Sequence, residues 1–262
     1  MLHSKIIKEP MSLYNIRRKT HLTSHSLALF SKDPELYRAY MAGEIPDSDT
    51  SSYKFGRAFH TAVLEPTLFS DSYAIDGVVN PTTGRCYGYD TAKVAKFEEA
   101  TGKEVLSSDD NAVIVNMLNS IRNHRNAAAL LGAKGEAEIT IVAEIYGVPC
   151  QSRIDWLTEE VVMDLKSTDD MDGFLYDAKR YRYARQLAFY SYMVMQLGRP
   201  MPQAKIVAVE KKPPYRAGCF LLSRPDLEDE INTVSAEIMQ IARCMDSNRW
   251  ESNYTHDMIL ER

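Results

Sequence analysis

Residues 148–167 read VPCQSRIDWL-TEE-VVMDLKS, and the fold turns on how that stretch is read. Apolar and β-branched residues alternate with polar ones on both sides of Thr158-Glu159-Glu160, the pattern of two strands joined by a tight turn. With Glu159-Glu160 as a two-residue hairpin tip, counting back along both strands sets Asp155 directly opposite Asp164. Side chains alternate between faces, so Lys166 joins Asp164 while Met163 and Leu165 point the other way. Arg153 shares a face with Asp155 by the same rule, where it can meet an anion or pair with the carboxylate.

Two carboxylates and an ammonium on one face of a strand as apolar as VVMDL are costly, because each buried charge loses several kcal/mol of hydration unless something compensates it. A divalent cation is the natural compensator. Oxygen ligands on adjacent strands suit Mg²⁺ or Mn²⁺, hard ions that retain several waters. Such an ion polarises a phosphodiester and lowers the pKa of a bound water, while a neighbouring Lys orients that water and stabilises developing negative charge.

Outward from the hairpin, residues 138–144 (EITIVAE) form a preceding antiparallel strand, with Glu138 a further acidic candidate. A helix is expected over 171–197, then a strand at 204–209, a Lys-Lys-Pro-Pro turn, and a strand at 217–222. The last helix, 225–245, carries Leu227, Ile231, Val234, Ile238, Ile241 and Met245 at core or oligomer-interface spacing. Upstream, 23–43 suggests one or two short helices, the polar stretch 44–52 (EIPDSDTSS) breaks the pattern, and 53–64 (YKFGRAFHTAVL) is a helix that Pro66 helps to end. Residues 80–90, with two Gly and a Pro, read as a loop, and 109–131 as a longer helix. The expected fold is α/β of restriction-endonuclease type, a mixed central sheet flanked by helices. It makes one domain over 1–262, with N-terminal helices at 20–66, the sheet and its helix at 136–222 and a C-terminal helix at 225–247.

Composition limits the alternatives. The chain has 262 residues, 45% hydrophobic and 26% charged, an ordinary globular balance. No run approaches the roughly 18 apolar residues of a membrane span, and the N-terminus lacks a signal peptide's apolar core, so a soluble, cytoplasmic protein without a membrane partner is expected. Cys86, Cys150, Cys219 and Cys244 lie far apart without metal-site spacing and read as reduced, partly buried thiols. A net charge of -5 gives no global attraction to nucleic acid, so phosphate contacts must come from a local basic cluster. Residues 179–185, KRYRYAR, supply one: Lys179, Arg180, Arg182 and Arg185, interleaved with Tyr181 and Tyr183.

Taken in order, GRAFH (Gly56, His60), SRIDW (Asp155), DLKST (Asp164, Leu165, Lys166) and QLAFY (Gln186, Tyr190) resemble the RecB-like branch of the PD-(D/E)XK nucleases, whose pattern runs GxxxH, D, DxK, QxxxY. FGRAFHTAVLEP, MDLKSTDD, YRYARQLAFYSYM and the upstream TSHSLALFSKDPELY are closer still to the nuclease domain of phage RecE-type exonucleases (exodeoxyribonuclease VIII), over about residues 20–200. Gly56, one turn before His60, is expected to clear space beside the imidazole. The resemblance implies that His60 and the Leu165 carbonyl join Asp155 and Asp164 as metal ligands. Gln186 and Tyr190 share one helix face and act together. It further implies an Mg²⁺-dependent exodeoxyribonuclease degrading linear duplex DNA from the 5′ end in phage-type recombination. A ring-shaped homo-oligomer (trimer or tetramer) and a single-strand annealing partner come with it. The scattered cysteines do not fit the iron-sulfur cluster found in relatives of this branch, and none is expected. The alternatives are a single-strand or structure-specific nuclease of the same superfamily, and a DNA-binding or assembly module with a decayed centre, against which the complete motif set argues.

Overall fold

The computed structural model describes residues 4–45 and 51–255. In chain order its elements are β1 (Lys5–Ile7), α1 (Met11–Arg17), α2 (Ser24–Lys32), α3 (Pro34–Met41), α4 (Ser51–Leu64), α5 (Pro66–Ser72), β2 (Tyr73–Ile75), α6 (Ala92–Thr101), β3 (Glu104–Leu106), α7 (Ser108–Asn123) and α8 (Arg125–Gly132). There follow β4 (Gly135–Ile145), β5 (Val148–Thr158), β6 (Val161–Thr168), α9 (Phe174–Arg180), α10 (Tyr183–Met195), β7 (Gln203–Glu210), β8 (Ala217–Leu221) and α11 (Arg224–Ser247). Among the described residues, one sheet holds six strands in the order β1-β4-β5-β6-β7-β8, and β2 pairs with β3 apart from it. Only β6 and β7 run parallel within the main sheet, joined by the α9–α10 crossover that parallel pairing requires. The expected mixed sheet flanked by helices is the fold observed.

Alternation along the central strands sorts side chains into two cores. Val161, Met163 and Leu165 of β6, with Val207 and Val209 of β7, pack against α4, α7 and α8. Val162 of β6, with Ala204, Ile206 and Ala208 of β7, packs against α2, α10 and α11. Asp164 and Lys166, in step with Val162, therefore face the α10 layer, as period-two counting requires. The apolar stripe of α11 (Leu227, Ile231, Val234, Ile238, Ile241) is buried within the second core, so its spacing is core spacing. Met245, at the end of that stripe, is exposed.

Some boundaries differ from expectation. The helix anticipated over 171–197 is two, because Arg182 adopts a left-handed conformation (φ 55, ψ 44) between α9 and α10. KRYRYAR contains neither Gly nor Pro, so nothing local announces that break. The 109–131 helix is likewise two: His124 leaves helical geometry, and its Nδ1 accepts the Ala127 N–H at 3.2 Å to cap α8. Pro66 opens α5 as well as following α4. The strand β1, helices α1 and α6, and the β2–β3 pair carry no periodicity strong enough to read in advance. Residues 46–50 of the expected polar break lie outside the described residues. The thiols are unpaired, Cys150 buried and the other three half-buried.

Helix α4 is held by Phe55, Ala58, Phe59 and Ala62, all buried against β6 and α7. Phe59→Ala should cost about 3–5 kcal/mol by combined transfer and cavity terms, whereas Ile16→Ala, at a side chain 72% exposed, should change stability by less than about 0.5 kcal/mol. Urea unfolding of both variants checks this, and equal effects would show that α4 does not depend on its buried face.

Candidate active site

The site grows from a defect in the sheet. Strands β4 and β5 pair from Gly135↔Thr158 to Ile145↔Val148, but Glu138 is left out between Ala137↔Trp156 and Ile139↔Ile154. Its φ is 54, a left-handed backbone that a side chain other than Gly adopts only when the surroundings impose it. On the other side, β5 pairs with β6 through Leu157↔Val162 and Trp156↔Met163, the register that the two-residue hairpin predicts. One step further Asp155 replaces ladder pairing with its side chain, Oδ2 accepting the Leu165 N–H at 2.6 Å. Continued by one residue, both registers place Glu138, Asp155 and Asp164 in one row across β4, β5 and β6.

His60 reaches this row from α4. Its Nε2 lies 2.9 Å from the Leu165 carbonyl. A carbonyl only accepts, so Nε2 carries the proton and, in a neutral ring, Nδ1 presents a lone pair. Burial lowers the His60 pKa and favours that neutral ring. Nδ1 faces Asp155 Oδ2 at 3.6 Å and Glu138 Oε1 at 3.9 Å. A lone pair opposed to two carboxylates is repulsive unless a proton or a cation lies between them. One donor atom from each of His60, Glu138 and Asp155 lies within 4.8 Å of the others, a spacing that lets a single ion with bonds of roughly 2.0–2.5 Å touch all three. The donor set, one imidazole and two carboxylates, fits a divalent cation.

Burial and like charge act together on the two acids. Burial first, and the Asp164 charge second, push Asp155 up to about 8. Burial, then Asp155, raise Glu138 as well. Arg153 partly offsets this, its Nε donating to Glu138 Oε2 at 2.5 Å and its Nη1 to the Glu9 carbonyl at 2.9 Å. Arg17 in turn pairs with the Glu9 carboxylate and donates from Nε to Gln151 at 2.9 Å.

On the α10 side Lys166 Nζ stands 2.6 Å from Asp164 Oδ2. The ion pair is close, yet its angles miss those of a good hydrogen bond, and that buried oxygen has no well-aligned donor. Gln186 ties the group together: Nε2 donates to Asp164 Oδ1 at 2.9 Å and to the Tyr190 hydroxyl at 2.8 Å, while Oε1 accepts from Lys166 at 3.2 Å. Burial opposes the Lys166 charge, but Asp164 and Asp155 outweigh it and hold the ammonium above its ordinary pKa. Burial raises the Tyr190 phenol well above its usual range, so it stays protonated while its oxygen accepts from Gln186.

Of the residues anticipated from the sequence, His60, Asp155, Asp164, Leu165, Lys166, Gln186 and Tyr190 converge. The Leu165 carbonyl is engaged by His60, which orients the ring. Gly56 does not clear space against a neighbour, since a Cβ placed there would meet nothing within 4 Å. Arg153 braces Glu138 and is not presented outward. Arg185 is paired with Glu230 and, at 2.7 Å, with Glu237 of α11, so it joins α10 to α11. Lys179, Arg180 and Arg182 are exposed. Glu138, only a secondary candidate by sequence, is a full member of the cluster. Its signal was limited to a carboxylate within an otherwise β-branched strand, and the backbone kink that aims it has no signature.

The sequence profile of the family described as PDDEXK-like domain of unknown function (DUF3799) matches residues 24–255. No curated protein matches the sequence. Among solved structures, a candidate exonuclease from Eubacterium rectale superposes with a TM-score of 0.64 at 11% identity, covering 98% of this chain and 96% of that one. The crystal structure of SSO0001 aligns with a TM-score of 0.31 at 14% identity, covering 74% and 87% of the two chains, too low to support a structural argument.

The Asp155 pKa makes a signed prediction. An unfolded Asp titrates near about 3.9 and folded Asp155 near about 8, so between these values the folded state keeps a proton that the unfolded state has released. Metal-free stability must fall as pH rises through that window. Asp155→Asn should therefore stabilise the metal-free protein more at pH 8 than at pH 5, by chemical denaturation in EDTA. A pH-independent difference would contradict the shared burial of these acids.

Proposed function

The chain belongs to the PDDEXK-like family, and from that premise we propose that it is a divalent-metal-dependent nuclease that hydrolyses DNA phosphodiester bonds from strand ends. The observation that carries this reading is the neutral His60 lone pair aimed between the Glu138 and Asp155 carboxylates, with the Lys166 ammonium one strand away.

His60, Glu138 and Asp155 would hold the cation, while Asp164, whose oxygens meet Gln186 and Lys166, would hold the amine. When bound, a Mg²⁺ or Mn²⁺ ion supplies Lewis-acid polarisation of the phosphate and a water of lowered pKa. Lys166 remains protonated beside Asp164, so Nζ serves as a donor that orients the attacking water and meets charge developing on the phosphate oxygens. Asp164 and Gln186 hold that ammonium in place, and Tyr190 holds Gln186. The exposed Lys179, Arg180 and Arg182 take the strand's phosphates without reading sequence.

Digestion of linear duplex DNA from the 5′ end, within a ring-shaped homo-oligomer and beside an annealing protein, is the more specific form of the proposal. The GRAFH, SRIDW, DLKST and QLAFY blocks and the flanking likeness to RecE-type exonucleases support it. Comparing linear with circular duplex, and duplex with single strands, separates it from a structure-specific or single-strand nuclease of the same superfamily.

Asp164→Ala and Lys166→Ala should each lower Mg²⁺-dependent degradation of linear DNA by at least about 10²-fold, with the fold retained by circular dichroism. Activity that survives either substitution, or an excess of EDTA, would overturn the assignment. Arg182→Ala should weaken DNA binding most at low salt and reduce the slope of log K against log salt by about 1. An unchanged slope would remove Arg182 from the phosphate contacts.

A further inference from the structure

Contacts from Lys166 continue outward to the surface. Its Nζ lies 4.8 Å from the centroid of the Tyr183 ring. Tyr183 packs on Phe174 at 6.1 Å and stacks on Tyr181 at 6.0 Å with planes 24° apart. The Arg180 guanidinium is 5.4 Å from the Tyr181 centroid. Residues two apart on a continuous helix do not face one another. Tyr181 and Tyr183 meet because Arg182 between them takes a left-handed backbone (φ 55) that an L side chain rarely adopts. The break thus builds an aromatic column from the Lys166 ammonium to the solvent.

Tyr181 is the outer end of that column and is 56% exposed. Its neighbours in the chain, Lys179, Arg180 and Arg182, are exposed cations, and the Arg180 guanidinium lies over its ring. An exposed aromatic ring beside cationic side chains is an arrangement by which proteins hold unpaired nucleotides, since every base has a π-face and cations can track the backbone. A base inside a duplex has both faces covered by its neighbours and offers none to a protein ring.

We infer that Tyr181, supported by Tyr183, is a stacking platform for an unpaired base of the strand whose backbone passes Lys166. The substrate it favours is a DNA end carrying at least one unpaired base. The inference deepens the nuclease reading and rests on it. The platform is sequence-tolerant, because stacking reads no hydrogen-bonding edge.

The test is fluorescence anisotropy in EDTA, with a labelled thymidine oligonucleotide of about 15 nucleotides and an abasic strand of equal length. Tyr181→Ala should weaken binding of the thymidine strand about tenfold, Tyr181→Phe should bind it like the wild type, and the abasic strand should bind all three proteins alike. Equal losses on both strands, no loss on the thymidine strand, or a Phe variant as weak as Ala would overturn the platform. Adding Mg²⁺ to the wild type and following hydrolysis keeps the two ideas apart. Base-dependent binding without hydrolysis overturns the nuclease reading alone, and hydrolysis without base-dependent binding overturns the platform alone.

Discussion

Like charge held in one row is the constraint from which the rest of this structure follows. Glu138, Asp155 and Asp164 come from three neighbouring strands, and burial together with like charge makes Asp155 and Glu138 harder to ionise. The protein meets that cost from several directions. Arg153 neutralises Glu138, Lys166 stands against Asp164, and the Leu165 N–H is given to Asp155 at the expense of ladder pairing. Beside these pairs, one donor atom each from His60, Glu138 and Asp155 lies within 4.8 Å of the others, a spacing that a divalent ion fits.

The sheet sits between two helical layers, and each layer contributes one arm to the site. Helix α4, fixed by Phe55 and Phe59 in one core, brings His60 to the Leu165 carbonyl. Helix α10, fixed by Leu187 and Phe189 in the other, brings Gln186 to Asp164 and Lys166. The opposing positions of Leu165 and Asp164 on β6 allow one strand to be read from both faces. Behind the row, the N-terminal segment joins in through Glu9, which receives Arg17 at its carboxylate and Arg153 at its carbonyl. The acidic row and the N-terminal segment are thereby connected through Arg153 and Glu9.

Much of this was legible from the residues. The hairpin register followed from the two-residue turn, and the common face of Asp164 and Lys166 followed from the pleat. His60, Gln186 and Tyr190 were legible only as parts of a motif set, because a lone His or a Gln–Tyr pair on a helix carries little information. Arg185 and Arg153 pair with carboxylates inside the fold: a residue type shows that a guanidinium can meet a phosphate, but nothing local shows that Glu230, Glu237 or Glu138 reaches it.

The sequence by itself determined the quantities that depend on neighbours along the chain: strand alternation, the tight turn, the apolar stripes of α4 and α11, and through them which side chains share a face. Tertiary structure alone decided the rest. The kink at Glu138 that turns a third carboxylate towards Arg153, and the pairing that withdraws Arg185 from solvent, are set by contacts between residues distant in sequence, and the left-handed Arg182 that stacks Tyr181 on Tyr183 has no local signature. Local propensity at those positions is worth about 1 kcal/mol or less, and packing and electrostatics from elsewhere in the fold outweigh it.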